Sequence, residues 1–550
     1  MSFTSFAFLI FVGVVVLVYY LVPLKYRWIV LLAGSYFYYL QASAKSFVFI
    51  LFTTIVTFYS AKYMGRADDE HKKYLAEHKE ELTRDEKKAR KEALGKRKKR
   101  VLALALILDF GILACLKYFR YYLGALGVGM FSGSAGVLIP LGISFYTFQS
   151  AGYLFDVYRG KTAADQNLAK FALYISFFPQ IVQGPIPRYD QLAKQLYEGH
   201  AFRYKNLAHG SQLILWGFFK KLVIADRIGT LVGEVFINWD QYSGWPVIIA
   251  MFGYAIQLYM DFSGGVDIAR GVARCMGIDM ARNFRRPYFA VDLTDFWRRW
   301  HISLSFWTRD YIFFAVAMSK PIGRFGKKCR QVLGDRIGKL IPVFIGQICV
   351  FLIIGMWHGA ELKYIAYGLY NAAIIITGMC LEPYFVIWLK KLHIDREGKP
   401  FTLFRILRTF CIISFGRIFS NGESFRASIH MMASIFRPYH GSFMAAYTAF
   451  ALTKWDYVVL FFACLTVFCV SLVQEKRYNY KKAHEGGGAQ IIAMVGADAG
   501  KETDAEMREW IDEKSMLIRW ALYMALFLAV LLLGVYGPSY DPTVFIYREF

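Results

Sequence analysis

The stretch from Ile341 to Leu389 reads IPVFIGQICVFLIIGM (341–356), WHGAELK (357–363) and YIAYGLYNAAIIITGMCLEPYFVIWL (364–389). Two largely apolar blocks of 16 and 26 residues flank a break of seven. A helix rises about 1.5 Å per residue, so about 20 apolar residues cover the hydrocarbon of a bilayer. No water pairs with backbone N–H and C=O groups there, and a helix satisfies them within its own segment. The stretch therefore predicts two membrane helices joined by a short turn that carries an imidazole, His358.

Working outward, the same signature recurs at Phe6 to Val22, Phe47 to Met64, Val101 to Phe119 and Leu517 to Val535. Ser211 to Leu231 is a weaker case, interrupted by Lys220, Lys221, Asp226 and Arg227. The chain has 550 residues, 56% of them hydrophobic and 18% aromatic, a composition that excludes an ordinary water-surrounded globule. No basic region precedes the first block and no small-residue cleavage site follows it before Pro23 and Lys25, so it reads as a span rather than a signal peptide. The expected architecture is one all-α, multi-pass membrane domain over residues 1–550. It has about 10 to 13 crossings plus re-entrant or interfacial helices.

A formal charge of +24 would suit a nucleic-acid binder, but the Lys and Arg residues cluster in short segments between apolar blocks. That is the pattern of the positive-inside rule, so membrane orientation explains the charge and no nucleic acid is expected. Counting crossings puts the charged stretch 66–100 in the cytosol as a solvated helix. Residues 188–205, 270–299, 320–339 and 390–399 fall on the same side, and both termini fall outside. This parity requires Phe171 to Gln183 and Ile302 to Met318 to enter the membrane without crossing it. Residues 475–513, with Gly486-Gly487-Gly488, read as a flexible cytosolic loop with a short polar helix. The eight cysteines form no CxxC pair and no ligand spacing, so neither a disulfide framework nor a metal site is indicated.

Ionisable groups inside a membrane domain are costly, which makes each a candidate for function. His358 stands between Gly355 and Gly359 in GMWHG, where glycines would let the helix break and a substrate approach the ring. An imidazole takes and returns a proton near neutral pH, as hydroxyl attack on a thioester requires. The bland reading is a histidine that only hydrogen-bonds between helices.

His301 lies in DFWRRWHISLSFWTRDY (295–311), where cations alternate with rings. One reading is an interfacial belt, with Trp297, Trp300 and Trp307 as anchors and Arg298 and Arg299 at lipid headgroups. The other is a phosphate-binding face for an acyl donor, since guanidinium matches phosphate bidentately. Asp261, Ser263 and Asp267 in YMDFSGGVDIARG, Gln149 in FYTFQSAGY and Gln180 in FFPQIVQGPIPRY either line the same cavity or join helices. Arg285, Arg286, Trp300, Ser303 and Trp357 complete the candidate donor or substrate contacts.

Several long stretches resemble the membrane-bound O-acyltransferase superfamily, in the bacterial branch of alginate O-acetylation proteins and teichoic acid D-alanyltransferases. They are IPLGISFYTFQSAGYLFDVYRG from Ile139, FFPQIVQGPIPRYDQL from Phe177, GFFKKLVIADR from Gly217, YMDFSGGVDIARG from Tyr259, NFRRPYFAVDLTDFWRRWHISLSFWTRDY from Asn283 and MWHGAELKYIAYGLYNA from Met356. The resemblance implies a helical ring around a central channel, His358 as the catalytic histidine at its constriction, and His301 as an auxiliary second position. It implies a thioester donor, either acyl-coenzyme A or an acyl-carrier protein phosphopantetheine, and no bound cofactor. It also implies an exported or membrane-anchored partner transferase, and placement in a bacterial cell membrane.

Acetyl transfer to a polysaccharide fits the chain length and the ending Tyr536 to Phe550. KYIAYGLYNA is closer to the D-alanyl exporters, and Ile412 to Phe425 (IISFGRIFSNGESF) lacks the Trp and Phe-Phe-Arg usual in the alginate type. By parity His358 sits near the outer end of its span. The resemblance puts it deep, and a helix broken at Gly355 and Gly359 would reconcile the two. A transporter would need inverted repeats, which the sequence does not display. A non-catalytic scaffold would tolerate loss of His358.

Overall fold

The computed structural model describes residues 1–119, 122, 140–484 and 505–536, and every regular element in them is a helix. Two compact units are present. The first is Met1–Gly210 with Val272–Met280, the second Ser211–Gly271 with Ala281–Phe550. We number the long helices α1 (Phe6–Leu21), α2 (Phe47–Glu77), α3 (Arg84–Ala114), α4 (Trp245–Cys275), α5 (Lys320–His358), α6 (Leu362–Lys391), α7 (Lys399–Asn421), α8 (Lys454–His484) and α9 (Met516–Leu533).

In the first unit, the charged stretch 66–100 is not one helix but the ends of two. α2 stops at Glu77, and α3 starts behind a capping box in which Thr83 and Glu86 satisfy each other's backbone N–H groups. Its basic run is partly used structurally, because Lys98 reaches Asp68 at 2.5 Å and the Tyr158 carbonyl at 2.9 Å. Residues Phe171 to Gln183 form pieces of nine and four residues, Leu168–Ser176 and Phe178–Ile181, each too short to cross.

The second unit holds two further long helices, α4 and α8. α4 carries Asp261, Ser263 and Asp267. The structure neutralises both carboxylates: Lys221 lies 2.6 Å from Asp261 and 2.8 Å from Asp226, and Lys220 lies 2.6 Å from Asp267. Both lysines sit in a π-helical turn, Phe219–Ala225, that links Tyr204–Phe218 to Asp226–Ile237. α8 absorbs the start of the expected 475–513 loop by continuing to His484, and Ala505–Asp512 is the short polar helix. Gly486 to Gly488 and Tyr536 to Phe550, apart from Tyr536 itself, lie outside the described residues.

Among the described residues seven helices are long and apolar enough to cross a membrane, and α1 is a shorter apolar helix of 16 residues. α6, α8 and α9 leave large apolar side chains open, among them Trp388 (66% exposed), Phe461 (63%) and Leu532 (72%). Such surface suits hydrocarbon and not water.

The α5–α6 hairpin positions His358. A Cβ on Gly355 would stand 2.3 Å from the Tyr364 carbonyl, and one on Gly368 would stand 2.2 Å from that of Phe351. α5 and α6 therefore touch backbone to backbone, the close approach that small residues permit. α5 stays helical through Gly355 and ends only at His358, with Gly359 extended. The expected break at Gly355 is thus corrected, because that glycine serves helix contact. A bend does occur earlier, at Gly334 (φ 79°).

Candidate active site

His301 precedes the helix Ile302–Thr308 with φ 44° and ψ 54°. A non-glycine residue there costs on the order of 1–3 kcal/mol, so its surroundings must enforce it. Asn283 does so. Its Oδ1 accepts from the Ser303 N–H at 3.1 Å and the Ser303 hydroxyl at 2.9 Å, and lies 3.2 Å from His301 Nδ1. Its carbonyl accepts from Ile302 N–H at 3.0 Å, and Arg285 N–H donates to the Arg299 carbonyl at 2.9 Å.

A backbone N–H can only donate, so the atom of Asn283 facing Ser303 is the oxygen. His301 Nδ1 then carries the proton in this hydrogen bond, and Nε2 is the basic nitrogen. The ring is 1% exposed and meets Phe262 of α4 edge-on at 5.0 Å.

Burial, and secondarily the nearby His358, push the His301 imidazole down to about 3. It is neutral at physiological pH. An unfolded histidine titrates near 6.5, so between these values the unfolded chain binds a proton that the folded one refuses. Stability must then fall as pH drops from about 6.5 towards 3. The detergent-solubilised protein should show a melting temperature that declines across this window, with a shallower decline for His301→Gln. Parallel slopes would remove His301 as the source.

His358 ends α5, is 9% exposed, and faces Tyr364 at 6.2 Å and Tyr367 at 6.0 Å, both on α6. Trp297, on the helix just before His301, reaches the same hairpin. Its indole N–H donates to Asn371 Oδ1 at 3.2 Å, and its ring meets Phe351 at 5.2 Å. The two histidine-bearing segments are therefore packed together, and Trp357 is buried beside His358.

The interfacial-belt reading is overturned. Trp297, Trp300 and Trp307 are 8%, 3% and 7% exposed, so they fill a core and do not anchor at headgroups. Of the four arginines only Arg298 is open. Arg299 lies 3.0 Å from Asp295 and 3.1 Å from Glu475, Arg286 also pairs with Glu475, and Arg285 donates to the Tyr478 hydroxyl at 2.9 Å. Guanidinium groups sunk among rings lose hydration, and a carboxylate of α8 replaces it.

Beside these arginines lies a cavity of about 580 Å³. Its wall carries five cations, Lys220, Arg270, Arg282, Arg285 and Arg286, against one carboxylate, Asp267, and it reaches Asn283. Phe462 and Leu465 of α8 and Leu522 and Leu526 of α9 make it apolar elsewhere. A cationic end and an apolar wall suit a molecule with phosphates and a long uncharged arm.

Other candidates are placed differently. Asp261 is held by Lys221 and does not line this cavity, whereas Ser263 and Asp267 do. Gln149 and Gln180 belong to the first unit. There the Gln180 amide donates to Gln149 Oε1 at 2.5 Å, and Gln149 donates to the Tyr174 carbonyl at 2.7 Å. These two join helices. Ser303 supports Asn283. The residues that sequence reasoning missed are Asn283, quoted but not singled out, and Glu475, assigned to a loop.

The described residues thus form a multi-pass membrane protein whose two histidine-bearing segments pack together, with a cationic cavity that reaches Asn283. The sequence profile of the membrane-bound O-acyltransferase family matches residues 161–328. The chain is 29% identical over 446 residues to a probable alginate O-acetylase of Pseudomonas syringae pv. tomato, covering 79% of this chain and 75% of that protein. It is 32% identical over 291 residues to a teichoic acid D-alanyltransferase of Bacillus subtilis (52% and 69%), and 31% identical over 296 residues to a peptidoglycan O-acetyltransferase of Helicobacter pylori (49% and 53%). The chain belongs to the membrane-bound O-acyltransferase family and is an acyltransferase of that family.

Proposed function

We propose that this enzyme passes an acetyl group from a cytosolic thioester to a hydroxyl of an extracytoplasmic polysaccharide, directly or through a partner transferase in a bacterial cell membrane. The observation that carries this reading is the likeness, over 79% of the chain, to proteins named for alginate O-acetylation. Both termini lie outside in this reading, which follows the distribution of Lys and Arg.

The donor docks in the cationic cavity, its phosphates against Arg282, Arg285 and Arg286. His358 takes the proton from the acceptor hydroxyl as its oxygen bonds to the thioester carbonyl carbon. Collapse of the intermediate breaks the C–S bond, and the proton passes to the departing sulfur, which leaves as thiol. His301, neutral and held by Asn283, supports this exchange through Nε2. No redox cofactor takes part in this sequence.

The likeness to a D-alanyltransferase supports a second reading, D-alanyl transfer from a carrier-protein thioester to teichoic acid. Envelope membranes supplied with radiolabelled acetyl-coenzyme A or with a D-alanyl carrier protein separate the two. Label entering polymer from acetyl-coenzyme A alone supports acetyl transfer. Label from the carrier protein alone replaces it with D-alanylation.

A further inference from the structure

Arg417 of α7 is a buried cation that the mechanism above leaves idle. It is 1% exposed, in the second unit. Its guanidinium stands over the ring of Trp300, 4.1 Å from the centroid, with Tyr288 at 5.5 Å and Phe296 at 5.6 Å. Nη1 donates to the Ala255 carbonyl at 3.2 Å and to the Tyr288 hydroxyl. Tyr367 of α6 is close enough to the same guanidinium to feel its charge, and Nε and Nη2 are buried with no hydrogen-bond partner of their own. Among the described residues the oxygens around it are carbonyl and phenol oxygens, and none is a carboxylate.

Burying a guanidinium without a carboxylate costs more than burying a methionine of similar reach, and cation–π contacts offset only part of that. A group retained at such cost in a membrane domain points to use. The position suggests what use. On one side Arg417 stacks on Trp300, the neighbour in sequence of His301. On the other it faces Tyr367, whose ring meets His358 edge-on at 6.0 Å.

We propose that Arg417 is a positioning residue for acyl transfer, a planar cross-brace that fixes Trp300 and Tyr367 and thereby sets the two imidazoles relative to each other. This rests on the reading of His358 as the base. A planar fork suits the task, because it can stack on an indole while donating sideways to a phenol, which an ammonium group cannot do equally well.

The test uses full-length protein in envelope membranes, with labelled acetyl-coenzyme A or D-alanyl carrier protein, whichever proves to be the donor. Arg417→Met should lower the maximal rate at least about tenfold while KM for the donor stays within about twofold, since a misplaced reacting group costs rate before binding. Arg417→Lys should recover part of the rate. Tyr367→Phe should also slow the reaction, and the double variant should be no slower than the slower single variant, because both act through one contact.

Multiplicative effects of the two changes, or a wild-type maximal rate for Arg417→Met at wild-type abundance, would overturn the proposal. If Arg417→Met does not accumulate, Arg417→Lys combined with Tyr367→Phe supplies the same cycle. Full activity in His358→Ala would instead remove the base assignment. An inactive His358→Ala beside fully active Arg417 variants would sink this inference alone.

Discussion

Cells carrying His358→Ala should lose nearly all acylation of their envelope polymer, while the protein remains at wild-type level in the membrane. A positioned general base is worth about 10²–10⁴ in rate. His301 belongs to another segment, fixed by Asn283 and by a backbone held at φ 44°, so its ring does not move into the place that His358 leaves. His358 is the last residue of α5, a position that alanine can occupy without breaking the helix, so the hairpin can still form. The check is acyl content per unit of membrane protein. Unchanged acylation would return the chain to the transporter or scaffold readings.

Lys221→Leu should produce the largest loss of stability. The ammonium group is buried between Asp261 and Asp226 at 2.6 and 2.8 Å, and Asp261 is itself 1% exposed. Removing one member of a buried ionic cluster leaves the others uncompensated, typically about 3–5 kcal/mol. Here two carboxylates lose the cation between them. The variant should fail to accumulate in membranes, or should melt far below wild type in detergent. Adding Asp261→Asn should recover part of the loss, because one of the two like charges is gone. A Lys221→Leu protein of normal abundance and melting temperature would show that water or a shifted side chain compensates the pair.

Much of this protein was legible from local chemistry. Blocks such as Ile341 to Met356 specify helices because lipid leaves the backbone no other partner. His358 stands out because an imidazole beside an apolar block is expensive and needs a reason. What local reading does not reach is charges that cancel at long range. Asp261 and Asp267 of α4 are answered by Lys221 and Lys220, from a segment some 40 residues earlier in the chain. The FWRRW run looked like an interface for the same reason. Its rings are core and its arginines are answered by Glu475, about 175 residues away.

The sequence by itself determined that the chain crosses membranes, which blocks become helices, and which histidines merit attention, because hydropathy and residue chemistry are local properties. Only the tertiary structure decided that Asn283 sets the tautomer of His301, that Gly355 permits contact between α5 and α6 without breaking a helix, and that Arg417 lies between the two histidine segments. Those outcomes depend on residues distant in sequence meeting within a few ångströms, and no local pattern encodes such meetings.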